Sequence, residues 1–248
     1  MPILTLDALR QEIRRESNPH RAKASARFFK SGAGEYGEGD RFIGLTVPQM
    51  RTLARRAVAL PLRGVQNLLR SPIHEHRFIA LEMLVMRFEH AGEVERRKLV
   101  AFYLRHTRFI NNWDLVDTSA PYLLGEHLLN RPKTILMRLA RSPSVWERRI
   151  AIVSTLTLIK DGEFTQTLAI ADQLLTDGHD LIHKAVGWML REVGKRDEPA
   201  LRAFLDRYAG RMPRTMLRYA IERFPEKMRL HYRRIPRVSS SLPLEEVR

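Results

Sequence analysis

Arg77-Phe78-Ile79-Ala80-Leu81-Glu82-Met83-Leu84 sets the period of this chain. Similar segments return as Arg149-Ile150-Ala151-Ile152-Val153-Ser154-Thr155-Leu156 and as Lys184-Ala185-Val186-Gly187-Trp188-Met189-Leu190, and Trp113 falls midway between the first two. Positions 77, 113, 149 and 184 are separated by 36, 36 and 35 residues. That length suits a repeat of two helices and two turns. The spacing therefore predicts an all-α solenoid of stacked antiparallel helix pairs.

The intervening segments agree. Asn18 before Pro19 reads as an N-cap with proline at the first helical position, opening a helix to about Lys30. Thr46-Val47-Pro48-Gln49 reads as a capping box, and its helix carries Arg51, Arg55 and Arg56. Further helices are expected to open at Ser71-Pro72, Ala91-Gly92, Asn112, Arg131-Pro132 and either Ser142-Pro143 or Ser144, which has Glu147 three residues on. Asp161-Gly162 and Asp177-Gly178 read as turns. Apolar stripes at helical spacing run through Leu81, Leu84, Val85 and Phe88, through Val186, Met189, Leu190 and Val193, and through Leu201, Phe204, Leu205 and Tyr208. No strand is expected. Residues 1–235 are read as one helical domain and 236–248 as a loose tail. Five of the thirteen glycines lie between Gly32 and Gly44. That stretch is a loop and not a phosphate cradle, since no Gly-Lys-Ser/Thr ends it.

In HEAT and armadillo arrays, equivalent positions line one face. Arg77, Trp113, Arg149 and Lys184 are therefore expected in a row on a concave, basic surface. The chain has 43 Lys+Arg against 28 Asp+Glu, a net charge of +15. That excess favours a polyanionic partner. Cysteine is absent, which removes disulfides, thiolate nucleophiles and Cys-ligated zinc. His74-Glu75-His76 puts its two rings on different sides of a helix, and His179 and His183 lack a zinc signature, so no metal and no cofactor are expected. Met1-Pro2-Ile3-Leu4-Thr5 has no basic region before an apolar run, and no stretch approaches a membrane span. The expected setting is the cytoplasm, with access to the nucleoid.

Trp113 and Asp117, four apart, share one helix face. An acid beside an indole is unusual in so basic a chain. Asp114 suits the first helical turn, where it complements the dipole, which leaves Asp117 as the candidate catalytic carboxylate. Trp188, two repeats on, adds a second indole. Trp146 reads as packing.

Trp113-Asp114-Leu115-Val116-Asp117, Arg149 within Trp146-Glu147-Arg148-Arg149, and Gly187-Trp188-Met189-Leu190-Arg191-Glu192 together resemble the AlkD-like DNA alkylation repair family, the HEAT-like repeat DNA glycosylases. The segment Tyr36 to Gly44, leading to Pro48 and Arg51, also fits. The similarity spans about residues 15 to 225. The resemblance implies excision of N3- and N7-alkylated purines, 3-methyladenine and 7-methylguanine among them, from double-stranded DNA. It implies Asp117 as catalytic carboxylate, Trp113 and Trp188 as indoles framing the deoxyribose, and Arg149 as a phosphate contact. Phe28 departs from relatives that carry Tyr there. A monomer is expected, with Phe28, Arg51, Arg55, Arg77, Lys184, Arg191 and Arg218 as DNA-contact candidates.

The chemistry agrees with that residue set. An N3- or N7-alkylated purine is already cationic and leaves as a neutral base, so no general acid is needed. Positive charge developing on the sugar is met by an ionised carboxylate, which also places water. A nearby Arg149 would keep that carboxyl ionised, and indole faces stabilise a cationic sugar by roughly 0.5–2 kcal/mol each. Most glycosylases flip the base into a pocket; the family is thought to grip the sugar-phosphate instead. Two other readings remain: a non-catalytic HEAT-repeat scaffold for nucleic acid, and a protein-binding solenoid.

Overall fold

The computed structural model describes residues 5–237. The protein is an all-α helical-repeat fold. Among the described residues the only extended pairing is one isolated bridge between Arg41 and Ile73. The chain divides into two compact units, Met1–Asn130 and Arg131–Arg248. The tail expected from 236 lies, from 238 onward, outside the described residues.

The first unit contains α1 (Leu6–Arg15), α2 (Pro19–Phe28), α3 (Val47–Arg56), α4 (Leu62–Leu69), α5 (His74–His90), α6 (Glu93–Arg105), α7 (Trp113–Asp117) and the short α8 (Glu126–Leu128). A π-helical turn, Pro121–Gly125, precedes α8. Asn18 caps α2 by accepting from the Arg21 N–H, and Thr46 with Gln49 forms the expected capping box on α3. α5 is buried nearly all round, with Leu81, Leu84, Val85 and Phe88 in the core, and α3 and α4 both pack on it. The glycine-rich loop is an ordered clasp. Glu75 Oε1 accepts the backbone N–H of Ile43 at 3.0 Å and of Gly44 at 2.8 Å. Gly44 has φ +83°, and a Cβ there would lie 2.1 Å from the Asn18 carbonyl oxygen; only glycine fits.

The second unit contains α9 (Thr134–Ala140), α10 (Val145–Lys160), α11 (Thr165–Gln173), α12 (Asp180–Gly194), α13 (Glu198–Tyr208), α14 (Arg214–Ala220) and α15 (Glu226–Arg234). The stripes expected on α12 and α13 are buried. Gly187 lets α14 close on α12, since a Cβ would lie 2.5 Å from both the Met216 carbonyl oxygen and the Tyr219 Cβ.

Three long helices begin in the same way. Ser71, Ser142 and Asp177 each use a side-chain oxygen to accept the backbone N–H two residues on, at 3.1, 3.1 and 2.8 Å. Each also uses its carbonyl to accept from a side chain six residues on: Arg77 at 2.9 Å, Arg148 at 3.0 Å, and the His183 ring. α5, α10 and α12 each start three residues after that oxygen. Two helix starts differ from expectation, and of the two starts expected for α10 the one at Ser144 is the one observed. α5 begins at His74 rather than at Ser71-Pro72, because Arg41 holds the Pro72 carbonyl and the His74 N–H in the bridge. α9 begins at Thr134, two residues past Pro132. Ser144 occupies the N-cap of α10 without a side-chain cap, and Glu147 instead accepts from Ser142 Oγ at 2.6 Å. The repeat register shifts too. Arg77, Arg148 and His183 are equivalent, so Arg149 and Lys184, which sequence similarity placed in the row, each stand one residue beyond the row that the hydrogen bonds set.

Candidate functional site

Asn112 opens α7 by accepting the Trp113 N–H at 2.9 Å, and its Nδ2 donates to Asp40 at 3.3 Å. Trp113 and Asp117 are the first and last residues of α7, both half-buried. Leu115 and Val116 point into the core between them. Behind α7, the Tyr103 hydroxyl lies 3.1 Å from Ser119 Oγ. Burial raises the pKa of that phenol, the Ser119 hydrogen bond opposes the rise, and the charge of Asp117 adds to it.

Trp113 rests on an aromatic stack. Its ring centroid lies 5.4 Å from Phe29, nearly parallel, and 5.9 Å edge-on from Phe28. Phe29 stacks in turn on Phe42 at 5.2 Å and meets His74 at 4.9 Å. His74, 2% exposed, bridges two carboxylates: Nδ1 lies 3.0 Å from Asp40 Oδ2 and Nε2 lies 2.8 Å from Asp114 Oδ2. Arg77 Nη2 donates to the other oxygen of Asp40. Burial works against a charge on His74, but the Asp114 charge and the hydrogen bonds to Asp114 and Asp40 outweigh it, raising the pKa to about 9. The ring is an imidazolium that donates from both nitrogens. Asp40 is held below the usual carboxylate range: burial opposes this, and His74, Arg77 and Asn112 prevail.

Two sequence expectations change here. Asp114 does more than complement a helix dipole, for it ties α7 to the start of α5. Arg77 is not a presented cation, since it is buried and engaged with Asp40 and the Ser71 carbonyl. Sequence reading weighed His74 only as a metal ligand, took Asp40 and Phe42 only as part of the glycine-rich segment, and passed over Phe29. No periodicity marks residues 34 and 40 positions apart as partners.

Among the other candidates of the first unit, Phe28 is 66% exposed beside Trp113. Arg51 is half-exposed and meets Glu82 at 3.2 Å; Arg55 is exposed. In the second unit Arg149 is buried in α10 and donates to the Leu181 carbonyl of α12 at 2.6 Å. Lys184 pairs with Asp180 at 2.7 Å. Trp188 is half-buried on α12, where the indole follows the close-packed Gly187. Arg191 bonds Glu222 and Glu192. Arg218 is exposed, its guanidinium 5.9 Å from the Tyr219 ring, and lines a cavity of about 210 Å³ with Arg214 and Arg233. Among the described residues no group of His, Asp and Glu is arranged to hold a metal ion, and no helix is long and apolar enough to cross a membrane.

Residues 9–224 match the sequence profile of the DNA alkylation repair enzyme family. The chain belongs to that family. Its members are named as enzymes of DNA repair, which makes DNA the substrate class. A solved structure described as a predicted DNA alkylation repair enzyme from Enterococcus faecalis has a similar fold, with a TM-score of 0.65 at 16% identity, over 85% of this chain and 98% of that one. No curated protein matches the chain.

Proposed function

We propose that the protein is a monofunctional DNA glycosylase that excises cationic N3- and N7-alkylated purines, 3-methyladenine and 7-methylguanine among them. The observation that carries this reading is Asp117, half-buried at the end of the one-turn helix that begins with Trp113. Its carboxylate meets positive charge on the deoxyribose as the N-glycosidic bond breaks. The bonding electrons leave with the base, which becomes neutral. Water, oriented by Asp117, then adds to C1′ and loses its proton to solvent, which leaves a C1′ hydroxyl. Trp113 supplies a π face to the cationic sugar, and its stack on Phe29, which in turn meets His74, keeps the indole in one orientation before substrate arrives. Trp188 is assigned to the deoxyribose and Arg149 to a backbone phosphate. Arg51, Arg55, Lys184, Arg191, Arg218 and Phe28 are assigned to DNA contact. The protein acts as a monomer in the cytoplasm on duplex DNA, without flipping the base.

Release of 7-methylguanine from methylated duplex DNA tests this reading. Wild type should release the base, and Asp117→Asn should lose release at least a hundredfold while retaining DNA binding. Full release by the variant would overturn the assignment of Asp117. Tight, salt-dependent binding with no release by wild type would leave a non-catalytic scaffold.

A further inference from the structure

The first unit also has a cleft of about 490 Å³, lined by Arg63, Arg70 and Arg105 and by none of the residues of α7 or the aromatic stack under Trp113. Its polar floor is fixed. Gln66 Nε2 donates to His106 Nε2 at 2.9 Å, and His106 Nδ1 donates to the Phe102 carbonyl at 2.7 Å. The three arginines are exposed. Among the described residues no carboxylate lies within ion-pair distance of any of them, and none lines the cleft. Elsewhere in the chain Arg51, Arg56, Arg97 and Arg148 each reach an acid.

Helix dipoles account for two of the three. Arg105 ends α6 and Arg70 follows the last residue of α4, where a cation is favoured. Arg63 is different, because it is the second residue of α4, where the dipole repels a cation. Three like charges line one concavity, one of them against its own helix; Arg70 also lies over the Phe109 ring at 6.0 Å, but among the described residues no carboxylate forms an ion pair with any of the three. That arrangement is relieved by a bound anion. Forked guanidinium groups match tetrahedral phosphate oxygens better than point charges do. The volume lies within the range of about 300–1,000 Å³ typical of small-ligand pockets, so a phosphate with its attached sugar fits.

We propose that this cleft, through Arg63, Arg70 and Arg105, is a phosphate-binding site separate from the Trp113–Asp117 face. Its phosphate is either a backbone phosphodiester of duplex DNA or a free phosphorylated small molecule. The site does not depend on Asp117 being catalytic, and undamaged DNA tests it independently of base release. Binding of an unmodified duplex is measured against salt for wild type, for the triple variant Arg63→Gln, Arg70→Gln, Arg105→Gln, and for the matching triple lysine variant. Pyrophosphate is titrated against thermal unfolding of the same proteins. A DNA phosphodiester source predicts that the slope of log K against log salt falls by about 0.9 for each phosphate that the glutamine variant no longer neutralises, and that the slope is largely kept with lysine. A free-phosphate source predicts an unchanged slope, with pyrophosphate raising the Tm of wild type and not of the glutamine variant. An unchanged slope together with an equal pyrophosphate response overturns the proposal. Should the triple variant fold poorly, the single Arg63→Gln change carries the same readings.

Discussion

His74 Nε2 lies 2.8 Å from Asp114 Oδ2, and this contact fastens the first turn of α7 to the first turn of α5. Asp114 immediately follows Trp113, so the bond also sets where the indole stands on the Phe29–Phe42 stack. Removing one partner of a buried ion pair costs about 3–5 kcal/mol. Asp114→Ala should sit near the low end, since Asp40 still faces the other ring nitrogen. Denaturant unfolding measures the loss, and tryptophan emission should shift as Trp113 loosens. A variant within about 0.5 kcal/mol of wild type would show that the pair does not hold α7 in solution.

Two neighbouring histidines should give stability opposite slopes on either side of pH 6.5. Burial and the charge of Arg77 oppose a proton on His74, but Asp114 and Asp40 outweigh them and raise its pKa from 6.5 to about 9. The folded protein keeps a proton that the unfolded chain gives up, so this stabilisation is complete below pH 6.5 and disappears as pH rises through about 9. His76 is lowered to about 4, by burial first and then by Arg10, Arg77 and Arg14. There the unfolded chain takes up the proton first, so stability falls as pH drops from 6.5 towards 4. Each limb is worth on the order of 3 kcal/mol at 1.36 kcal/mol per pK unit. His74→Gln should flatten the alkaline limb and His76→Gln the acid limb. An alkaline limb unchanged in His74→Gln would refute the imidazolium bridge.

Phe28 separates surface function from stability. Its ring is mostly solvent-exposed yet meets Trp113 and Phe29 edge-on at 5.9 and 5.0 Å. Phe28→Ala should cost no more than about 1 kcal/mol, the worth of an exposed aromatic pair. If DNA lies along this face, the same change should raise KM for a methylated duplex several-fold and leave kcat within about twofold. A variant with unaltered KM would remove Phe28 from the contact surface.

Much of this fold is visible in the sequence because helix signals are local. The Thr46–Gln49 capping box, Asn18 before Pro19 and the stripes on α12 and α13 each lie within one or two turns. The repeat period is visible too, but its register is not. Phe78-Ile79-Ala80 and Ile150-Ala151-Ile152 align best by hydrophobicity at one offset, whereas the hydrogen bonds that define the helix starts pair Arg77 with Arg148. A side chain that folds back on a carbonyl six residues earlier leaves no mark in a pattern of apolar residues. The His74 bridge is less legible still. Its partners sit in a glycine-rich loop and on a separate helix, and only the tertiary fold raises an ordinary histidine to a buried imidazolium. Trp113 and Asp117 stand out in the sequence as an indole and an acid one turn apart; what braces them does not.

The corrected register makes a last prediction within the second unit. Arg148 Nε meets Asp177 Oδ2 at 2.6 Å, and Arg148 Nη1 also holds the carbonyls of Ser142 and Pro143 at 3.0 and 2.8 Å. The Asp177 side chain is only 6% exposed, and it also accepts the His179 N–H that begins the turn into α12. Lys184, one residue beyond the true equivalent of Arg148, pairs with Asp180 in a setting where both side chains are 40% exposed or more. Salt bridges at such surfaces are worth about 0–1 kcal/mol. Arg148→Ala leaves a buried carboxylate without its cation and two carbonyls without a donor, so it should cost about 3 kcal/mol or more. Lys184→Ala should cost under about 1 kcal/mol. Unfolding of the two variants side by side in denaturant distinguishes the registers: equal losses would mean that the Ser142 and Asp177 helix starts do not carry the repeat, while a large loss confined to Arg148 is what the shared hydrogen-bond pattern requires.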